Sequence, residues 1–127
     1  MKQPHRLYWW QWGQLLGVSL PILYFYLGLH HVLLWAIAFH FFMDFTVQSD
    51  ETALHKAHGD KQALICHAFL AGGFAGFIAG GLTGLVISVL LHYIIDATNK
   101  FGLKNSFGPI LDQMAHVATL LFIWQLL

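Results

Sequence analysis

The sequence has few charged residues, which make up 9% of its 127 residues, whereas 57% are hydrophobic. A soluble globular protein usually carries about 25% charged residues. Six Lys and Arg against six Asp and Glu are too few to cover a water-soluble surface, and they leave no net charge to attract a polyanion. This scarcity excludes a soluble enzyme, a disordered chain and a nucleic-acid binder with a basic patch. It predicts an integral membrane protein.

Cysteine is nearly absent as well. Cys66 is the single one, which excludes an internal disulfide framework and a CxxC metal site. The chain length suits one domain rather than two. We therefore expect residues 1–127 to form a single transmembrane helical domain.

The apolar stretches are too long for one membrane crossing each. Residues 12–47 contain a single charge, yet they would make about 54 Å of helix, against a hydrocarbon core of about 30 Å. Gly28 and the Gly80–Gly81 pair are natural places for the chain to turn. The sequence thus predicts an all-α, polytopic membrane bundle, in which 1–31 add an N-terminal helix to a four-helix core at 32–127. We place its five helices at about 8–28, 30–48, 62–80, 82–99 and 108–126.

The polar segment 49–61 separates two of these helices. Ser49 or Asp50 is a helix-start signal and Gly59 a stop signal. A short helix lying along the membrane surface is one interpretation, and a plain polar loop is the other.

The positive residues assign sides to the bundle. Five spans place the N-terminus and the loops at 49–61 and 100–107 on one side, and the C-terminus on the other. All six cations fall on the first side: Lys2, Arg6, Lys56, Lys61, Lys100 and Lys104. The positive-inside rule makes that side cytoplasmic, so we expect a protein of the inner (cytoplasmic) membrane with its N-terminus inside.

Glycine recurs at every fourth residue in the third predicted helix, at Gly72, Gly76 and Gly80. Such spacing lets another helix approach closely. The approaching helix belongs either to the same chain or to a second copy, in which case these glycines would form a homo-oligomer contact.

Ionisable residues recur inside the predicted spans, where they are costly and mark functional sites. Three pairs have an i, i+4 spacing, which puts both members on one helix face. Because neighbouring helices run in opposite directions, all of these groups fall in the cytoplasmic half of the membrane. We expect them to share one cavity: His40, Asp44, His67, His92, Asp96, Asp112 and His116.

Such a cavity favours a divalent metal. The spans offer no Lys or Arg to neutralise three carboxylates, and unpaired carboxylates in a low dielectric require a cation or a proton. The share of histidine favours zinc. Seven candidate ligands exceed one tetrahedral site, so either two ions bind or some residues support the ligands from behind. Gln48 and Gln113 are further candidates for that supporting role.

These residues resemble a known family. The motifs His40-x-x-x-Asp44-Phe-x-x-Gln48-Ser-Asp50 and Asp112-Gln113-x-x-His116 are similar to those of a bacterial family of small membrane proteins catalogued as domain of unknown function 3307. The similarity extends to Lys56, His67, His92 and Asp96, and covers about residues 32–127. It implies a conserved type of site without implying a reaction. The spacing is also similar, more loosely, to that of bacterial membrane-bound metal-dependent hydrolases.

Two classes of function fit this site. The first is a metal-dependent intramembrane hydrolase acting on a lipid or lipid-linked ester, amide or phosphoester, with Asp44 or Asp96 as general base. Four lysines would hold an anionic head group at the rim: Lys56, Lys61, Lys100 and Lys104. The second is a cation or proton transporter or channel that uses the same groups. A small structural subunit of a membrane complex would leave the His and Asp residues unexplained.

Overall fold

A computed structural model describes residues 9–28, 31–98 and 108–127, and within these ranges the chain is helical without a β-strand. The helices are α1 (Trp9–Tyr26), α2 (Val32–Phe41), α3 (Asp50–Ala57), α4 (Lys61–His67), α5 (Phe74–Thr98) and α6 (Gly108–Leu126). Two π-helical segments continue them, Phe42–Val47 after α2 and Ala68–Gly73 after α4. The predicted all-α class and the approximate helix positions are confirmed.

The middle of the chain folds into a helical hairpin at the predicted glycine pair. Helix α5 is interrupted by non-helical backbone at Gly80 (φ −155°, ψ 27°) and Gly81 (φ 61°, ψ −150°). A positive φ costs glycine little and costs other residues much more. The two arms then pack together so closely that a Cβ atom on Gly72 would lie 2.7 Å from the Cβ of His92.

The repeated glycines are covered by the chain's own helices. A Cβ on Gly76 would overlap the carbonyl oxygen of Gly84, and one on Gly80 would lie 2.7 Å from Leu127 and 2.8 Å from Ile123. Of the two interpretations, packing within one chain is the one that the structure shows. The face proposed for a homo-oligomer contact is therefore not free for a second copy.

Helix α1 packs on the first π-helical segment through two further glycines. A Cβ on Gly13 would overlap the ring of Phe45, and one on Gly17 would lie 2.8 Å from the carbonyl oxygen of Phe41. The hydroxyl of Thr46 also donates a hydrogen bond to the carbonyl oxygen of Gln14 (3.5 Å). The N-terminal helix is thus fitted against the segment that carries Asp44.

The polar segment between α2 and α4 forms the short helix α3. The Ser49 hydroxyl accepts a hydrogen bond from the Thr52 N–H (3.1 Å), which caps the helix start. Gly59 ends the turn with φ 78°. Asp60 then caps α4, and the hydrogen bonds from the N–H groups of Ala63 and Gln62 lower the pKa of its carboxyl group. The helical interpretation of this segment is confirmed.

The two ends of the bundle differ in chemistry. At one end, Gly80 meets Leu127, the rings of His31 and Trp124 lie 5.4 Å apart, and the core is apolar. That core contains Leu33, Ala36, Ala75, Ala79, Leu120 and Ile123. The other end holds the predicted His and Asp residues together with Lys56. Four of the cations used to assign sides lie outside the described residues: Lys2, Arg6, Lys100 and Lys104.

Helix length alone identifies fewer membrane spans than the sequence predicts. Among the described residues, Lys61–Thr98 is the one helical segment long and apolar enough to cross a membrane. Val32–Val47 with Glu51–Ala57 forms a second candidate when a 99° bend is counted within one span. The apolar parts of α1 and α6 are shorter. The observed architecture is therefore a small all-helical bundle, and its crossing of a membrane remains a proposal.

Candidate metal centre

The seven predicted ligands meet at one end of the bundle. Histidine rings from different helices lie close together, with centroid distances of 4.0 Å for His92–His116, 4.9 Å for His40–His116 and 5.1 Å for His67–His92. The carboxylates lie among these rings. We call this group the His/Asp cluster: His40, Asp44, His67, His92, Asp96, Asp112 and His116.

Five residues of the His/Asp cluster form two overlapping sets suited to a metal ion. One set is Asp44, His67 and His92, and the other is His92, Asp96 and His116. Within each set, the possible ligand atoms lie within 4.8 Å of one another. Imidazole nitrogens and carboxylate oxygens are the ligands of many zinc and other transition-metal sites. His92 belongs to both sets and is the centre of the arrangement.

Two buried histidine nitrogens have no hydrogen-bond partner among the described residues. These are the Nε2 atoms of His92 and His116, both in nearly inaccessible side chains. Asp96 Oδ1 lies 3.3 Å from the His116 nitrogen, without the geometry of a hydrogen bond. An unsatisfied buried polar atom costs about 1–3 kcal/mol. A ligand within reach of both nitrogens would satisfy them.

Asp44 is held by partners from two other helices. His67 Nε2 donates to Asp44 Oδ1 (2.7 Å), and Gln113 Nε2 donates to Asp44 Oδ2 (2.6 Å). The carboxylate is therefore oriented on both sides without help from its own helix. A metal bound by the first set would take the place of the proton that His67 and Asp44 now share.

Gln113 connects three members of the His/Asp cluster. Its Oε1 accepts a hydrogen bond from His40 Nε2 (3.1 Å), while its Nε2 donates to Asp44 and to Asp112 Oδ2 (3.1 Å). His40 and Asp112 belong to neither metal-ligand set. Their hydrogen bonds to Gln113 suit the supporting role that the sequence left open for some of the seven residues, and the division into ligands and supporting residues stays a prediction.

The other predicted supporting residue, Gln48, lies just after the first π-helical segment. Its Oε1 is buried and has no hydrogen-bond partner in the part of the chain that the structure describes. Unlike Gln113, Gln48 therefore forms no hydrogen bond through its Oε1 with a described member of the His/Asp cluster. The supporting role expected of Gln48 stays a prediction.

Lys56 lies inside the site and not at its rim. Its Nζ donates to Asp96 Oδ2 at 2.6 Å, and its side chain is 14% exposed. The expectation that no lysine neutralises the carboxylates is therefore wrong, as is the rim position predicted for Lys56. Lys61 is exposed, as a rim position requires. Lys100 and Lys104 lie outside the described residues.

Lys56 lies on the covered face of α3. Within α3, Thr52, Ala53 and Lys56 are partly covered, while the residues between them are exposed. Lys56 shares a helix face with Thr52 and Ala53, because residues three and four apart lie on one side of a helix. Two small residues preceding a lysine on that face allow its side chain to reach inward.

Both π-helical segments border the His/Asp cluster. Asp44 lies within the first, and His67 immediately precedes the second. π-helical turns are rare and occur frequently at functional sites. Their presence next to two ligands indicates that the backbone is adjusted to aim these side chains.

Comparison with known proteins identifies the family. A family model described as "Protein of unknown function (DUF3307)" matches residues 32–127. The chain belongs to the DUF3307 family. The match confirms the resemblance in the sequence and includes the whole His/Asp cluster, while α1 lies outside it. No curated protein and no solved structure matches the chain, so a function for this DUF3307 member has to be argued from its site.

Proposed function

We propose that this protein is a metal-dependent intramembrane enzyme, most simply a hydrolase, whose His/Asp cluster binds a divalent metal ion. The observation that carries the proposal is the pair of buried Nε2 atoms of His92 and His116, which form no hydrogen bond with the described residues and lie within two sets of convergent ligands. Hydrogen-bonded structural histidines would have their nitrogens satisfied. A metal ion satisfies both atoms and neutralises the carboxylates beside them.

A membrane location is supported by the distribution of side chains. Large apolar residues are exposed on the long helices, for example Ile22, Phe69, Leu90 and Phe122. The buried residues include several His and Asp side chains and many alanines. This arrangement is the reverse of a soluble protein, in which apolar side chains are buried and charged ones exposed. In a membrane, lipid tails would cover the exposed apolar side chains and keep them from water.

The hairpin supports more than one crossing of that membrane. The break at Gly80 and Gly81 divides Lys61–Thr98 into two antiparallel arms. Each arm has about the 17 residues that a membrane-spanning helix needs at minimum. With α1, α2 and α6 alongside, five spans place the His/Asp cluster near the cytoplasmic face of the inner membrane, the side that the lysines favour.

Zinc is the metal that this ligand set favours. Three of the five residues in the two sets are histidines and the other two are aspartates. Imidazole with carboxylate suits zinc, whereas magnesium and calcium prefer sites made of oxygen atoms alone. Gln113 orients Asp44 as the supporting partners of metal ligands do.

A metal ion next to carboxylates can catalyse hydrolysis. A bound metal polarises a carbonyl or phosphoryl oxygen and lowers the pKa of a bound water. Asp44 or Asp96 would accept the proton of that water as general base. The substrate is a lipid or lipid-linked ester, amide or phosphoester that enters from the cytoplasmic leaflet. An anionic head group would meet the exposed Lys61 and, outside the described residues, Lys100 and Lys104.

A cation or proton path would use the same groups but needs polar residues along the whole bundle. The end opposite the cluster is closed by an apolar core that includes Leu33, Ala79 and Ile123. A polar site at one end suits an enzyme better than a pathway. A purely structural subunit would not require convergent ligands with unpartnered nitrogens.

The proposal is tested by incubating purified, zinc-loaded protein with a bacterial lipid extract and identifying released products by mass spectrometry. We expect hydrolysis that stops after chelation and returns with zinc, and that is lost in His92→Ala. Proton or zinc flux in proteoliposomes, measured in parallel, should be absent. Flux without hydrolysis would replace the hydrolase by the transporter.

A further inference from the structure

The one lysine in contact with the His/Asp cluster among the described residues gives the site a permanent positive charge. Given the proposed metal site, we propose that the ammonium group of Lys56 takes the place of a second metal ion. The site would then hold one divalent ion per chain, with Lys56 as its fixed cationic companion. This inference rests on the proposed function and decides between the one and two ions that the ligand count allows.

The geometry places Lys56 where a second metal would bind. Its Nζ lies 2.6 Å from Asp96 Oδ2. The same oxygen is 3.6 Å from His92 Nε2 and 3.7 Å from His67 Nε2, so it lies between the two metal-ligand sets. Lys56 therefore occupies a carboxylate oxygen that a second metal ion would otherwise take.

The other oxygen of Asp96 remains available. Oδ1 faces His116 Nε2 at 3.3 Å, without forming a hydrogen bond. In sites with two metals, a carboxylate can give one oxygen to each ion. In this protein, Asp96 gives Oδ2 to the ammonium and presents Oδ1 toward His116, which shares a metal-ligand set with His92 and Asp96.

Charge balance favours the same arrangement. Asp44, Asp96 and Asp112 supply three negative charges when ionised, and Lys56 supplies one positive charge. One divalent ion brings the sum to zero, whereas two ions leave a net charge of plus two. An uncompensated charge in a low-dielectric interior is strongly disfavoured, so the protein side chains match one ion.

Lys56 reaches the His/Asp cluster from a helix that is not one of the apolar helices. Lys56 lies on the polar helix α3, and its side chain extends from there into the bundle end, where Asp96 is 6% exposed. Long lysine side chains can bury their apolar stem while placing the ammonium elsewhere. Lys61, at the start of α4, is exposed and does not share this position.

The arrangement also specifies the type of substrate group. Enzymes with two metals use two cations to stabilise the oxygens that gain charge during displacement. A metal and an ammonium group side by side would act on one such oxygen. This favours an ester or phosphoester, in which negative charge develops on the leaving oxygen as well as on the polarised oxygen, whereas the leaving group of an amide is a nitrogen that needs a proton.

Metal analysis of purified protein, equilibrated with excess zinc and freed of unbound ions, tests the inference. We expect one zinc per chain in the wild type and in Lys61→Met, which removes an exposed lysine as the control. Lys56→Met should rise toward two zinc ions per chain, and Lys56→Arg, which keeps the charge, should stay at one.

Two zinc ions in the wild type would overturn the inference. So would folded Lys56→Met protein that stays at one zinc or loses it, because Lys56 would then merely support a ligand. If Lys56→Met does not fold, Lys56→Gln, which also removes the charge, is measured in its place, and the same two outcomes apply. Wild-type protein without any zinc would instead refute the proposed metal site itself.

Discussion

At the scale of single residues, Gln113 determines how the His/Asp cluster is held together. It accepts a hydrogen bond from His40 and donates to Asp44 and Asp112. An amide can do both at once, since it carries an acceptor oxygen and a donor nitrogen. A residue that can only donate or only accept hydrogen bonds could not replace Gln113 at this position.

Replacing Gln113 should weaken metal binding without abolishing it. In Gln113→Ala, Asp44 loses one of its two orienting partners while the five residues of the metal-ligand sets remain. We expect the zinc affinity to fall by about 10–100-fold, as for other partners of metal ligands. A competition titration with a zinc chelator measures this change. Gln62→Ala, at an exposed position on α4, is the matched control, and an equal loss in both variants would contradict the role of Gln113.

The members of the His/Asp cluster could be predicted from the sequence because two simple rules locate them. The i, i+4 spacing fixes the helix face, and the alternating helix direction fixes the end of the bundle. Lys56 could not be placed in this way. Its position depends on how α3 docks against the other helices, which local spacing does not determine. The same holds for Gln113. The sequence shows that it follows Asp112, but its hydrogen bonds to His40 and Asp44 could not be predicted.

At the scale of helices, the backbone departs from regular α-helix next to the His/Asp cluster. The first π-helical segment carries Asp44, and α1 packs against it through Gly13 and Gly17. The turn at Gly80–Gly81 was predictable because adjacent glycines are a strong signal. The π-helical turns were not, because widening a helix by one residue per turn has no strong signature in composition.

Enlarging Gly17 should disturb the metal site from a distance. A side chain there would collide with the carbonyl oxygen of Phe41 and with the backbone of Phe42, where the π-helical segment begins, and so displace Asp44. We expect Gly17→Leu to lower the zinc affinity by about tenfold, comparable to the loss of a supporting partner, while the helical content by circular dichroism is unchanged.

Val18→Leu is the control, because Val18 is exposed on the same helix. The absorption spectrum of bound cobalt reports ligand geometry, and it should shift in the Gly17 variant alone. An unchanged spectrum and affinity would show that α1 does not position Asp44.

At the scale of the whole molecule, polar and apolar surfaces are distributed as in a membrane protein with a one-sided site. The His/Asp cluster and Lys56 lie at one end, and Leu127 packs beside Gly80 at the other. The number of helices and their order followed from the length of the apolar stretches. The bend after Val47 did not follow from those lengths, and it departs from an ideal span.

The topology can be tested by labelling single cysteines with a membrane-impermeant maleimide in spheroplasts. In a Cys66→Ser background, Leu127→Cys should react from outside, because the C-terminus lies at the end opposite the cluster. Lys61→Cys should react only after the membrane is permeabilised. Reaction of both positions from the same side would refute the five-span arrangement.

The most direct test of the metal site is elemental analysis of purified wild type, His92→Ala and His55→Ala. His92 belongs to both ligand sets, so its loss should remove the metal from protein that still folds. His55 is exposed and bonded to Asp60 outside the cluster, so His55→Ala should keep the wild-type content. We expect stoichiometric zinc in the wild type and in His55→Ala, and none in His92→Ala. Wild-type protein that stays free of metal after exposure to zinc, or His92→Ala that keeps a full complement, would contradict a metal centre in the His/Asp cluster.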